Sequence, residues 1–167
     1  MKPLALLLLM LTLQISGQDL LLDVLPLIDK EVVYKNVLEA SGQSKMALQE
    51  KAQQWFKKNN IITEVNRPLD DTHQFLSGTY AFKALWGPND FKELQNSLEC
   101  KVELTLKNGR YQYQIASFIV RESNKISELE IYKMDKKRLQ QYNKTFYQRI
   151  DAQIKTLIGD LEDTMRQ

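Results

Sequence analysis

Residues 97–115 constrain the fold more than any other stretch of the chain. "SLECKVELTLK" alternates strictly, with Leu98, Cys100, Val102, Leu104 and Leu106 on one side and Glu99, Lys101, Glu103 and Thr105 on the other. A period of two places these sets on opposite faces of a strand. Asn108-Gly109 follows, the dipeptide that suits the two positive-φ residues of a type I′ hairpin turn. A two-residue loop pairs Lys107 with Arg110, Leu106 with Tyr111, Leu104 with Tyr113 and Val102 with Ile115. Both apolar sets then share a face. Tyr111 and Tyr113 belong to the leucine side, while Arg110, Gln112 and Gln114 point the other way. A sheet with one apolar face needs a cover.

Two segments have the period of that cover. Ser44 is placed to cap a helix in which Leu48, Ala52, Trp55, Phe56 and Asn59 recur at spacings of three and four, ending at Asn59-Asn60. A longer helix is predicted from Asp135, with Leu139, Tyr142, Phe146, Ile150, Ile154, Leu157, Leu161 and Met165 as its stripe. Between and before them, residues 31–40 ("EVVYKNVLEA"), 61–65 and 74–85 read as strands. In the last of these Leu76, Gly78, Tyr80, Phe82 and Ala84 share a face, and Gly78 marks a bulge or a close approach of another element. "WGPND" (86–90) reads as a turn, 91–96 as one irregular helical turn, and "ELEIY" (128–132) as a short edge strand. The order β-α-β-β-β-β-α gives an α+β fold, an antiparallel sheet with helices packed on one face. Tyr80, Phe82, Tyr111, Tyr113, Ile115, Phe146 and Ile150 should meet between the layers. There they form either a closed core or, if the layers do not close, the wall of an apolar ligand pocket.

Beyond this patterning, "LPLIDKEVVYKNVLEASGQSKMALQEKAQQWF" followed by "LKNGRYQYQI" resembles a bacterial family of secreted domains of unknown function. The matching features are Glu31 to Val37, the turn "SGQSK" (41–45), Ala52 with Trp55-Phe56, and Gly109 to Tyr113. The likeness covers roughly residues 25–120. It implies a TATA-binding-protein-like fold and no reaction, and the fold name implies nothing about DNA.

The first residues predict export. Lys2 supplies a charge, Leu4 to Leu13 form an apolar run broken only by Thr12, and Ser16-Gly17 is a small-residue cleavage region. That run is too short for a membrane span of about 20 residues. The expectation is a signal peptide over 1–17, then one domain over 18–167, periplasmic or secreted, with no transmembrane segment in the mature chain. The leader holds one of the 23 basic residues and no acidic one, leaving 22 against 21. Near-zero net charge and export argue against nucleic acid as a partner.

Little in the sequence marks chemistry. No G-x-S-x-G elbow or Gly-rich phosphate loop occurs, and no cofactor is implied. The single histidine, His73, lies beside Asp70 and Asp71 in a polar turn. Cys100, the single cysteine, falls among apolar residues, where an inert thiol is expected. Three functional classes follow. The first is a non-enzymatic binding module for a protein, glycan or apolar ligand. The second is a structural component of an envelope assembly. The third is a hydrolase or metal-dependent enzyme using the Asp70/Asp71/His73 loop.

Overall fold

The computed structural model describes residues 24–85, 95–122, 125–129 and 137–167. The leader expected over 1–17, the turn expected at 86–90 and the helix start expected at Asp135 lie outside the described residues. A small hairpin of β1 (Leu27–Ile28) and β2 (Glu31–Val32) comes first, followed by β3 (Tyr34–Glu39) and α1 (Lys45–Lys58). Then come β4 (Ile62–Pro68), β5 (Gln74–Leu85), β6 (Gln95–Lys107), β7 (Arg110–Glu122), β8 (Lys125–Glu128) and α2 (Lys137–Arg166). The main sheet is antiparallel in the order β3-β7-β6-β5-β4, with β8 pairing β7 beyond the end of β3. The fold is α+β, with the helices covering one face.

The central hairpin has the register that the alternation demands. Lys107 pairs with Arg110, Leu106 with Tyr111, Leu104 with Tyr113 and Val102 with Ile115. Leu98, Cys100, Val102, Leu104 and Leu106 are all buried. The turn differs from expectation. Gly109 has φ +72°, but Asn108 is not in the left-handed region, so the geometry is not type I′. Contacts from the β3–α1 connection explain it. Asn108 Oδ1 accepts from the Lys45 amide at 2.7 Å, the Gly109 amide donates to Gln43 O at 2.8 Å, and Gly109 O accepts from the Ala40 amide at 2.8 Å. The turn is built into a second loop, which sets its shape.

Other departures have local causes. The strand expected over 31–40 divides at Val33, because Glu31 and Val32 fold back on Leu27 and Ile28 across a turn in which Asp29 and Lys30 take positive φ (52° and 72°), whereas Tyr34–Glu39 pair with β7. The edge strand β4 runs on through Pro68, where a missing amide costs no ladder bond. Residues 95–96 are strand, not helical turn. In β7, three steps from Ala116 to Ile119 oppose two from Lys101 to Glu99, and Ser117 at φ +55° is the extra residue. This bulge keeps Phe118 and Val120 buried after Ile115. Strand β8 runs from Lys125 to Glu128, and residues 130–132 of the edge strand expected over 128–132 lie outside the described residues.

Ser44 caps α1 by accepting from the Ala47 amide at 3.1 Å, and Leu48, Ala52, Trp55 and Phe56 form its buried stripe. Fully burying each large apolar side chain contributes about 1.5–3 kcal/mol. Helix α2 is about 45 Å long at 1.5 Å per residue, and Phe146, Ile150, Ile154, Leu157, Leu161 and Met165 bury its stripe. One core holds both helices and the inner face of the sheet. Asp160 of α2 ties the helices together, accepting from Lys58 and from Asn59 Nδ2 at 2.9 Å.

Candidate functional site

The seven residues expected between the layers are all there and all buried. Ile115, Phe146 and Ile150 are inaccessible, and Tyr80 and Phe82 stack at 5.3 Å with 18° between their rings. Tyr80 keeps its hydroxyl paired at the edge of the layer, accepting from Gln153 Nε2 at 3.1 Å. Their stripes meet because β5, β7 and α2 each turn one periodic face inward.

Of the seven, Tyr113 also borders an open groove of about 540 Å³. This groove lies where the β1–β2 hairpin passes over the start of β3 and the middle of α2. Val24, Leu25, Pro26, Ile28 and Val33 give it an apolar wall, and Tyr34, Tyr113, Lys35, Asp151 and Lys155 a polar one. Tyr34 donates to Asp151 Oδ1 at 3.0 Å, and Lys155 Nζ lies 2.7 Å from Asp151 Oδ2. Burial, then the Asp151 charge, push the Tyr34 phenol far above its ordinary range. Burial also raises Tyr113, and its hydroxyl takes no protein partner among the described residues. Both phenols therefore stay protonated near neutral pH.

Tyr34 and the hairpin were not among the sequence candidates. Its alternation places Tyr34 inward, but Asp151 is distant in sequence. Nothing local signals that contact.

A second, smaller cleft of about 210 Å³ lies on the open face of the sheet at the turn end of the β6–β7 hairpin. His73, Thr105, Lys107, Arg110, Gln112 and Val37 border it, together with the otherwise buried Tyr111. Here the structure places His73 of the sequence-derived loop. Asp70 Oδ1 accepts from the Thr72 amide (2.7 Å), the Thr72 hydroxyl (2.7 Å) and the His73 amide (2.8 Å), while Asp70 Oδ2 lies 2.9 Å from His73 Nδ1. The Thr72 hydrogen bonds above all hold the Asp70 carboxyl well below its usual range. A carboxylate so occupied is a weak base. Asp71 contributes its carbonyl, which accepts from Lys45 Nζ at 2.9 Å. Among the described residues no group of three His, Cys, Asp or Glu side chains is arranged to hold a metal. Cys100 is buried, and burial pushes its thiol up to about 12. Its thiolate is scarce at neutral pH.

No family model and no curated protein matches the chain. Solved structures do match its architecture. One is a TBP-like protein from Parabacteroides distasonis ATCC 8503, with a TM-score of 0.62 at 16% identity, covering 84% of this chain and 96% of that one. Another is a DUF4468 family protein from Bacteroides ovatus ATCC 8483, with a TM-score of 0.59 at 12% identity, covering 90% and 95%. The chain has a TBP-like fold. Its neighbours include a bacterial domain-of-unknown-function protein, as the resemblance of "EVVYKNV", "SGQSK" and "GRYQY" implies. At these identities the likeness carries the TBP-like fold alone.

Proposed function

We propose that this chain is an exported, non-enzymatic binding module, periplasmic or secreted, that takes a small ligand with an apolar body and a polar end in the groove beside Tyr34. The observation that carries this reading is the groove itself. At about 540 Å³ it lies within the 300–1,000 Å³ range of small-molecule sites, and its walls divide into apolar and polar halves. The Val24–Ile28 side offers the surface for the apolar body. At the other side Tyr113 offers a hydroxyl without a hydrogen-bond partner among the described residues, and Lys35 and Lys155 flank the Tyr34–Asp151 pair. Groups poised for proton transfer are not part of this reading, because both phenols are pushed up, away from neutrality.

Organic extraction of the purified protein, followed by mass spectrometry, tests occupancy. Titration with the fluorescent apolar probe N-phenylnaphthylamine tests capacity. Val33→Trp fills the groove from its rim and should abolish both retained ligand and probe binding while leaving the fold intact. If the unaltered protein binds no probe and yields nothing on extraction, or if Val33→Trp changes neither result, the reading is wrong.

A further inference from the structure

We propose that the cleft at the turn end of the β6–β7 hairpin is a second binding site, one that takes a carboxylate on a polar body of monosaccharide size, a sugar acid. It lies on the sheet face opposite the helices, apart from the Tyr34 groove, and rests on different residues.

One placement in the cleft is not explained by stability. Register sets Lys107 directly across from Arg110. Like charges so placed on adjacent strands destabilise a sheet. One partner relieves the pair in part: Glu39, across from Arg110 on β3, forms an ion pair with it at 3.9 Å, long and with both side chains well exposed, while the Lys107 ammonium has no partner among the described residues. Two cations thus converge at one end of a concave surface. Violations of local pairing rules of this kind tend to mark functional sites.

The rest of the lining fits an anion with hydroxyls. Gln112 lies between Thr105 on β6 and Val37 on β3 in the ladder, so an amide and a hydroxyl stand two residues along the strands from the two cations, on the same face. His73 closes the side from the β4–β5 turn. Its Nδ1 is turned to Asp70, leaving the other ring nitrogen without a protein partner among the described residues. Among the described residues no carboxylate lines the cleft. Asp70 is occupied by its own turn, and Glu39, 72% exposed and 3.9 Å from Arg110, is held loosely enough for a ligand carboxylate to displace it. A guanidinium fork matches a planar carboxylate with two parallel hydrogen bonds, whereas an ammonium serves as a point charge. The amide and hydroxyl suit sugar hydroxyls. About 210 Å³ is too small for drug-sized ligands and fits a single sugar ring.

The test is an NMR titration of the purified protein, following the side-chain signals of Arg110 and Gln112. Glucuronate, glucose, acetate and inorganic phosphate are added in turn, up to about 50 mM, since a shallow site of this kind binds at roughly millimolar concentration. Saturable shifts with glucuronate, at least tenfold tighter than with any of the other three, are expected. Arg110→Gln should weaken glucuronate at least tenfold, and Lys107→Gln severalfold. Because Lys107→Gln also relieves the repulsion, its melting temperature should equal or exceed that of the unaltered protein. Absence of saturable shifts, equal binding of glucose, acetate or phosphate, or a lowered melting temperature for Lys107→Gln would each overturn the proposal. Val33→Trp should leave this titration unchanged, which keeps the fate of the Tyr34 groove separate.

Discussion

Replacing Gly78 by alanine sets a Cβ against backbone. An ideal Cβ built there lies 2.5 Å from Ile62 O and 2.9 Å from Ile61 Cγ2, where ordinary contact begins at 3.4 Å. The shortfall against Ile62 is roughly 0.9 Å. A flexible side chain could yield that distance, but a carbonyl of β4 yields only if the strand moves. Strand β4 is an edge, held to β5 by pairs that include Ile62 with Thr79 and Thr63 with Gly78. A register shift already interrupts this ladder between Thr63 and Val65, so little slack remains. Overpacking costs about 1–3 kcal/mol, and a backbone obstacle puts the expectation at about 2–3. That lowers the melting temperature by about 5–10 °C for a domain of this size. Gly109→Ala is the matched control. Its φ is +72° but nothing lies within 4 Å of the new Cβ, so it carries backbone strain alone, about 1 kcal/mol. Thermal and urea unfolding of both variants would measure the difference. Hydrogen exchange should show the extra loss confined to β4 amides. If Gly78→Ala costs no more than Gly109→Ala, the close approach of β4 does not explain the glycine.

Further outcomes follow from the same geometry. Intact-mass analysis of protein recovered from the cell envelope or medium should show a chain starting at or near Gln18, and recovery with Met1 retained would remove the basis for export. Cys100 should react with a thiol reagent only on unfolding, because it is 1% exposed and its thiol is held at about 12. Stability should fall as pH rises above about 9–10. Cys100, Tyr111 and Tyr34 are all raised in the folded state, so the unfolded chain releases their protons first, and each group costs about 1.4 kcal/mol per pH unit until its folded pKa is reached. Tyr34→Phe should flatten that slope by one group's worth between pH 10 and 12, as followed by urea midpoints across alkaline pH. An unchanged slope would mean that the phenol is not held protonated.

Much of the fold was legible because its signals are periodic. The strict alternation from Leu98 to Leu106 set the strand, the face and the register, and each predicted pair occurs. The stripe Leu48, Ala52, Trp55 and Phe56 set the first helix, and Ser44 its start. What escaped was set by distant residues. Asn108-Gly109 carries the local signature of a type I′ turn. That preference is weaker than three hydrogen bonds to the β3–α1 connection, two between backbones with Ala40 and Gln43 and one from the Lys45 amide to the Asn108 side chain, none of which the hairpin's own sequence announces. The Ser117 bulge was likewise invisible. "ASFIV" reads equally well in either phase, and only the fixed positions of Glu99 and Lys101 on β6 decide which residues turn inward.

The candidate sites were less legible for a related reason. Sequence periodicity reports which residues a sheet buries, and it found the seven that meet under α2. It does not report where two layers fail to meet. The Tyr34 groove is bordered by residues of the β1–β2 hairpin, β3, β7 and α2, and the Tyr34–Asp151 hydrogen bond on its wall joins residues more than a hundred apart in sequence. The hairpin-end cleft was overlooked on a different count. A net charge of only +2 argues against a general attraction to polyanions, but it averages over the surface and does not address one end of one hairpin. Strand geometry makes both uses of "KNGRYQYQI" compatible. Tyr111, Tyr113 and Ile115 build the core, while Arg110 and Gln112, one residue out of phase, are left to face whatever approaches the open side. Pressure to keep the core therefore acts on alternate positions and leaves those between them free to be shaped by a ligand. In a strand covered on one side only, the exposed phase is where function can change without cost to the fold.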